Sequence, residues 1–121
     1  SGSEDAATAT VALRCGEELI REAAIGNGPV NSICRCISRI TGYNIEIKDF
    51  KVASTSIGMD ALGQVNIMAE YNNRTFHGMG LATDIIRSTA LALVHVANDV
   101  RHSEKVAEHR DTSSKVNKGS I

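Results

Sequence analysis

Ile25-Gly26-Asn27-Gly28-Pro29-Val30-Asn31, running on into Ser32-Ile33-Cys34-Arg35-Cys36-Ile37, is the stretch on which the fold turns. Its glycines relax the backbone, and Pro29, which has no amide hydrogen to leave unpaired, suits the first position of a helix. Val30, Ile33, Cys34, Ile37 and Ile40 then recur on one helical face until Thr41-Gly42 supplies a stop, so the spacing predicts a helix of about twelve residues. Upstream, polar and apolar residues alternate from Thr8 to Arg14. A turn through Cys15-Gly16-Glu17-Glu18 leads into a second strand, Leu19 to Ile25. The unit is a hairpin followed by a helix.

Downstream the pattern returns. Tyr43 to Ala53 alternates with Tyr43, Ile45 and Ile47 on one side and reads as a half-buried strand. Ser54 to Gly63, holding Gly58, Asp60 and Gly63, reads as a connection. Gln64 to Tyr71 and Arg74 to Leu81 read as strands around an Asn72-Asn73 turn. Thr83 is the expected cap of a helix starting near Asp84, whose carboxylate suits the positive end, with Ile85, Ile86, Ala90, Leu93, Val94 and Ala97 as its buried stripe. Leu91 and Ala92, beside the small residues Ser88 and Thr89, suggest that this helix also meets another helix or subunit. Placing Gly26 over Gly80 aligns Val11 with Val65, Ile37 with Leu91 and Ile40 with Val94, an offset of 54. The reading is an α+β fold of two pseudo-symmetric strand-rich units, each with a helix packed on a sheet. Beyond Val100 the chain turns polar, and the helix is expected to run a few turns further and fray.

Composition narrows the function. One domain is all that 121 residues and 12.9 kDa allow, and four aromatic side chains (Tyr43, Tyr71, Phe50, Phe76) leave little ring area for stacking sugars or bases. A net charge of −1 gives no field to steer a polyanion, so nucleic acid is not an expected partner. No apolar run approaches the roughly 20 residues a bilayer requires, so no membrane partner is expected either. Cys15, Cys34 and Cys36 are an odd number without a zinc-like pair and read as reduced thiols, which places the chain in the cytoplasm.

Catalytic chemistry finds little support. His77 has no base and orienting group beside it in sequence, and His95, His102 and His109 recur at intervals of seven, about 10 Å along a helix and too far apart for one metal ion. Cys34 and Cys36 lie about 200° apart around their helix, with Cys34 on the core face, so they are not a redox pair. No catalytic residue, metal ligand or cofactor is assigned. The strongest local signal is the Gly26 to Asn31 loop, whose backbone amides and helix start can receive an anion or carboxylate. A capped turn would look the same. The loop lacks the length and lysine of a P-loop, and a hairpin before a helix is the wrong setting for a dinucleotide fingerprint.

Two runs carry a more specific message: IGNGPVNSICRCISRITGYNIEI from Ile25 and MDALGQVNIMAEYNNRTFHGMGLATDII from Met59. With them, the chain from Thr8 to Val100 closely resembles the C-terminal regulatory domain of the 2-isopropylmalate synthase family, with the regulatory domain of citramalate synthases as the nearby relative. The resemblance implies a homodimeric domain that binds the end-product amino acid, L-leucine, near the subunit interface. Residues 1–7 would be a disordered or expression-derived start, 8–100 the amino-acid-binding domain, and 101–121 a helix extension and flexible tail. By resemblance, Asn27, Gly28, Pro29, Val30 and Asn31 receive the polar head of the amino acid. Ile47, Phe50 and Ser54 line the pocket, and Asp84 and Ile85 join from the second loop-helix junction. The family's catalytic barrel, divalent metal and acetyl-CoA site belong to the rest of the parent chain, so this fragment is expected to be inactive alone. The alternatives are an isoleucine-sensing domain and a structural dimerisation domain that binds no effector.

Overall fold

The computed structural model describes residues 6–57 and 60–119. Along the chain run β1 (Ala6–Cys15), β2 (Glu18–Asn27), α1 (Pro29–Thr41), β3 (Glu46–Ile57), β4 (Asp60–Tyr71), β5 (Arg74–Ala82) and α2 (Ile85–Gly119). β1 and β2 form an antiparallel two-stranded sheet, and β3, β4 and β5 form an antiparallel three-stranded sheet in that order. α1 lies on the first sheet, α2 on the second, and the helices also meet each other. The α+β reading with two similar units is therefore correct.

Local chemistry sets each turn. Gly16 has φ 65 between Cys15 and Glu18, and Asn72 and Asn73 have φ 50 and 60 between Tyr71 and Arg74. Such left-handed pairs and glycine-led turns match the twist of the strands they join, which fixes both hairpin registers. α1 starts at Pro29 as its missing N–H permits, and ends at Gly42, whose N–H donates to the Ser38 carbonyl at 2.9 Å.

Several expectations need correction. The strand assigned to Tyr43–Ala53 begins at Glu46, because Ile45 N–H is turned back onto the Tyr43 carbonyl (2.9 Å) and the Ser38 hydroxyl (3.3 Å) instead of a ladder. Ser54 to Gly63 is no simple connection: β3 and β4 remain paired through Ser54↔Gly63 and on to Ile57↔Asp60, since an antiparallel ladder is bonded through the backbone whatever side chains it carries. Gly58, also assigned to that connection, lies outside the described residues. Asp84, not Thr83, caps α2, its Oδ1 accepting from Ile86 N–H at 2.8 Å. On α2, Ile85 and Ile86 are exposed, while Ser88, Thr89, Ala92, Leu93, Val96, Ala97 and Val100 are buried. Ser88 and Ala92 lie against the sheet, because Gly78 and Gly80 let α2 approach so closely that a Cβ at Gly80 would fall on the Ser88 carbonyl oxygen, and α2 also meets a second helix, α1, as expected. α2 continues as helix through Gly119. Cys36 is as buried as Cys34: its thiol donates to the Ala9 carbonyl at 3.3 Å under β1, while Cys34 donates to the Ile45 carbonyl at 3.4 Å on the other side of the helix.

The internal repeat is real, but its offset is 56, not 54. Gly16 corresponds to Asn72 at the turns and Gly28 to Asp84 at the helix caps. Ser32, Cys36 and Ile37 then fall on Ser88, Ala92 and Leu93, all six with no exposed surface. The same shift relates two contacts that close strand edges. Arg39 Nη1 donates to the Ala23 carbonyl at the edge of β2 (2.7 Å), and Met79 N–H at the edge of β5 donates to His95 Nδ1 (3.0 Å). A two-residue slip preserves the period of a strand, so an offset of 54 looks right in the hairpins. In a helix it rotates every position by about 200°, which is why it put core Ile37 on Leu91, 40% exposed.

Candidate functional site

The site grows from the start of α1. Gly28, at the cap position, has φ 95 and offers no side chain to the first turn. Gly26 lets that turn sit against β2, since a Cβ there would meet Asn31 Oδ1 and the Ser32 backbone. Asn31 Oδ1 accepts from Asn27 N–H at 2.9 Å, and the Ser32 hydroxyl donates to the Pro29 carbonyl at 2.9 Å. Asn31 thus ties the loop to the helix, while the first-turn amides receive no side-chain cap from Gly28.

The chain leaving α1 folds back beside it through the Ser38 and Cys34 contacts with Ile45. The result is a groove of about 330 Å³ lined by Asn27, Val30, Asn31 and Cys34 on one side and Ile45, Glu46 and Ile47 on the other. Its floor is apolar (Val30, Ile45, Ile47), one end is polar (Asn27, Asn31 and the helix start), and Glu46 stands at the rim. Glu46 is exposed and pairs with Lys48 at 3.1 Å, which holds the Lys48 ammonium above its ordinary pKa. Burial raises the Cys34 thiol, so this cysteine enters as a neutral wall.

Of the residues expected to act together, Asn27, Val30, Asn31 and Ile47 converge here, and Gly28 sets the turn above them. Phe50 packs half-buried against the core opposite Ile67, and Ser54 is exposed farther along β3. Pro29 and Asp84 line a different groove, about 590 Å³, between β1 and the starts of both helices. Ile85 reaches over Gly63 on β4. Cys34, Ile45 and Glu46 were missed. Helical spacing from Val30 to Cys34 and the shared strand face of Ile45 and Ile47 were the signals that pointed to two of them.

Among the described residues, no group of three or more His, Cys, Asp or Glu is placed to hold a metal ion, and no helix is long and apolar enough to cross a membrane.

The groove thus lies at a helix start in a twofold-repeated α+β domain. The chain belongs to the LeuA allosteric (dimerisation) domain family, which it matches over residues 1–101. It is 54% identical to a 2-isopropylmalate synthase of Tolumonas auensis over 92% of this chain and 21% of that protein. For the synthase of Aeromonas hydrophila the identity is 52% over the same shares, and for that of Escherichia coli O9:H4 it is 54% over 88% of this chain and 20% of the relative. The chain spans about a fifth of the length of these curated relatives.

Proposed function

We propose that this domain binds L-leucine in the groove between the start of α1 and Ile45 to Ile47, and that binding holds a parent 2-isopropylmalate synthase in a low-activity state. One comparison inside the molecule carries the reading. The repeat puts Gly28 where the second unit has Asp84, and at α2 the Asp84 carboxylate sits on the helix start. The start of α1 has no such carboxylate of its own, so the α-carboxylate of an amino acid takes the equivalent place. The ammonium is then held by the Glu46 carboxylate in exchange for Lys48, and the isobutyl group lies on Val30, Ile45 and Ile47.

Regulation follows from unequal affinity for two conformations of the parent. The acetyl-CoA site, the divalent metal and the barrel that condenses acetyl-CoA with 2-oxoisovalerate would belong to the remainder of that parent. The active species is proposed to be a cytoplasmic homodimer. The family's description as a dimerisation domain and the exposed Ile85, Ile86 and Leu91 on α2 support that assembly.

Titration calorimetry of the 121-residue chain, at a concentration where its dimer is established by sedimentation, tests the reading. L-leucine is expected to give saturable heat, and Asn31→Ala to weaken it at least tenfold. Absence of saturable heat with leucine overturns the proposal in favour of a structural dimerisation domain. Saturation by L-isoleucine alone reassigns the sensor to the citramalate synthase type.

A further inference from the structure

The two strand edges that the helices close are equivalent in the repeat, yet the closing chemistry is opposite. On β2, Arg39 Nη1 donates to the Ala23 carbonyl at 2.7 Å. A guanidinium keeps its charge throughout the pH range in which proteins stay folded, so this contact is indifferent to protons. On β5 the edge group is a donor. Tyr71 and Arg74 close their two-residue turn as a bonded pair, so the amides of Thr75, His77, Met79 and Leu81 point away from β4. Met79 N–H is taken up by His95 Nδ1 at 3.0 Å.

That contact fixes the state of the ring. An imidazole nitrogen that accepts carries no hydrogen, so His95 is neutral and its hydrogen is on Nε2, which faces Asp99 Oδ2 at 3.5 Å. The two partners pull in opposite directions. Asp99 favours a charged ring, whereas Met79 N–H admits only a neutral one, because a hydrogen on Nδ1 would set two donors against each other. The other charged and titratable groups that face the ring come from the sheet and line a groove of about 390 Å³ with it: His77 on β5, and on β3 Asp49 and Lys51, which are 3.7 Å apart. From β4 the groove takes the neutral Asn66, Ile67 and Met68. His95 and Asp99 are both about half exposed, so water and protons reach them.

We propose that His95 is a proton-operated latch between α2 and the edge of β5. Neutral, it holds Met79 N–H and closes the edge. Protonated, the ring stays with Asp99 as an ion pair and releases the amide, so the middle of the β5 edge is left unpaired, the condition under which an edge strand accepts another chain. Histidine is the side chain that ordinarily changes charge between about pH 5 and 8. The closure is complete above the titration of the ring and is lost as pH falls through it. Arg39 holds β2 unchanged over the same range, so only the second unit responds. The latch is independent of leucine binding.

Hydrogen exchange at single amides and 15N spectra of the histidine rings test this on the 121-residue chain, from about pH 8 to about pH 5. Exchange is expressed as protection factors, which removes its intrinsic pH dependence. At the upper end the His95 ring is expected to carry hydrogen on Nε2 and none on Nδ1. Met79 protection is expected to fall about tenfold along the protonation curve of His95, the worth of one hydrogen bond. Gly78 and Gly80, whose amides bond to β4, should change little. His95→Asn, whose Oδ1 can take the place of Nδ1 without titrating, should keep Met79 protected at both ends, and His95→Leu should lose the protection at both. Constant Met79 protection while the ring titrates overturns the proposal, as does a ring that stays neutral at the lowest pH or carries its hydrogen on Nδ1. Parallel loss at Gly78 and Gly80 also overturns it, assigning the change to general unfolding.

Discussion

The starts of the two helices occupy equivalent places in the repeat and have been given opposite chemistry. At α2 an aspartate caps the helix, its carboxylate on Ile86 N–H at 2.8 Å, and the unit is closed on itself. At α1 the same position is Gly28, with Asn31 reaching back to Asn27 and a groove left beside the first turn. Both helices lie on small residues of their hairpins, at Gly26 and at Gly78 and Gly80, and bury the same positions. The shared part is packing, which any hairpin-helix unit requires. The divergent part is that one unit sets a carboxylate on its helix start, while the other has glycine there and no side-chain cap, which is the place the proposed function gives to an amino acid's carboxylate.

The comparison is broken most directly through the core. Leu93, fully buried, corresponds to Ile37, whereas Leu91 is 40% exposed. Leu93→Ala should destabilise the domain by about 3 kcal/mol, the usual range for a buried leucine. Leu91→Ala, on the face assigned to the dimer, should change stability by about 0.5 kcal/mol in denaturant titrations at concentrations low enough to dissociate the dimer. Equal losses at the two sites would restore the 54-residue alignment.

A smaller effect sharpens the helix starts. Asp84→Ala removes a cap and should lower stability by about 1 kcal/mol. If the effector lies at α1, its calorimetric affinity for leucine should be unchanged. Strong loss of leucine binding in this variant would move the site to the groove shared by Pro29 and Asp84.

The smallest effect concerns the thiols. Burial raises both Cys34 and Cys36, so little thiolate is present near neutral pH, while Cys15 is exposed at the end of β1. One equivalent of aromatic disulfide reagent should react promptly at pH 7.5, and two more only on unfolding. Prompt reaction of all three would mean that α1 does not pack against β1 and Ile45 as described.

Much of this was legible in the chain. Pro29 and Gly42 bracket α1, Asn72-Asn73 marks the β4–β5 hairpin, and alternation from Thr8 to Arg14 and from Arg74 to Leu81 identifies strands, because turn chemistry and periodicity are local properties. Half of the groove was legible too, as Asn27, Val30 and Asn31 sit within one turn of chain. The errors have one origin. Ile85, Ile86 and Leu91 look like core by hydropathy, and Ser88, Thr89 and Ala92 do not; the choice between them is made by Gly78 and Gly80 on β5, which admit only small groups beneath the helix.

By itself, then, the sequence determined the elements, the doubling of hairpin and helix, and the loop at Gly26 to Asn31, all set by backbone preference and short-range spacing. Only the tertiary structure decided the 56-residue register of the repeat, the pairing of Ser54 to Ile57 with β4, and the joining of Ile45 and Glu46 to the α1 groove. Those depend on which surfaces approach closely enough to exclude water, and that is a property of the packed layers rather than of any one segment.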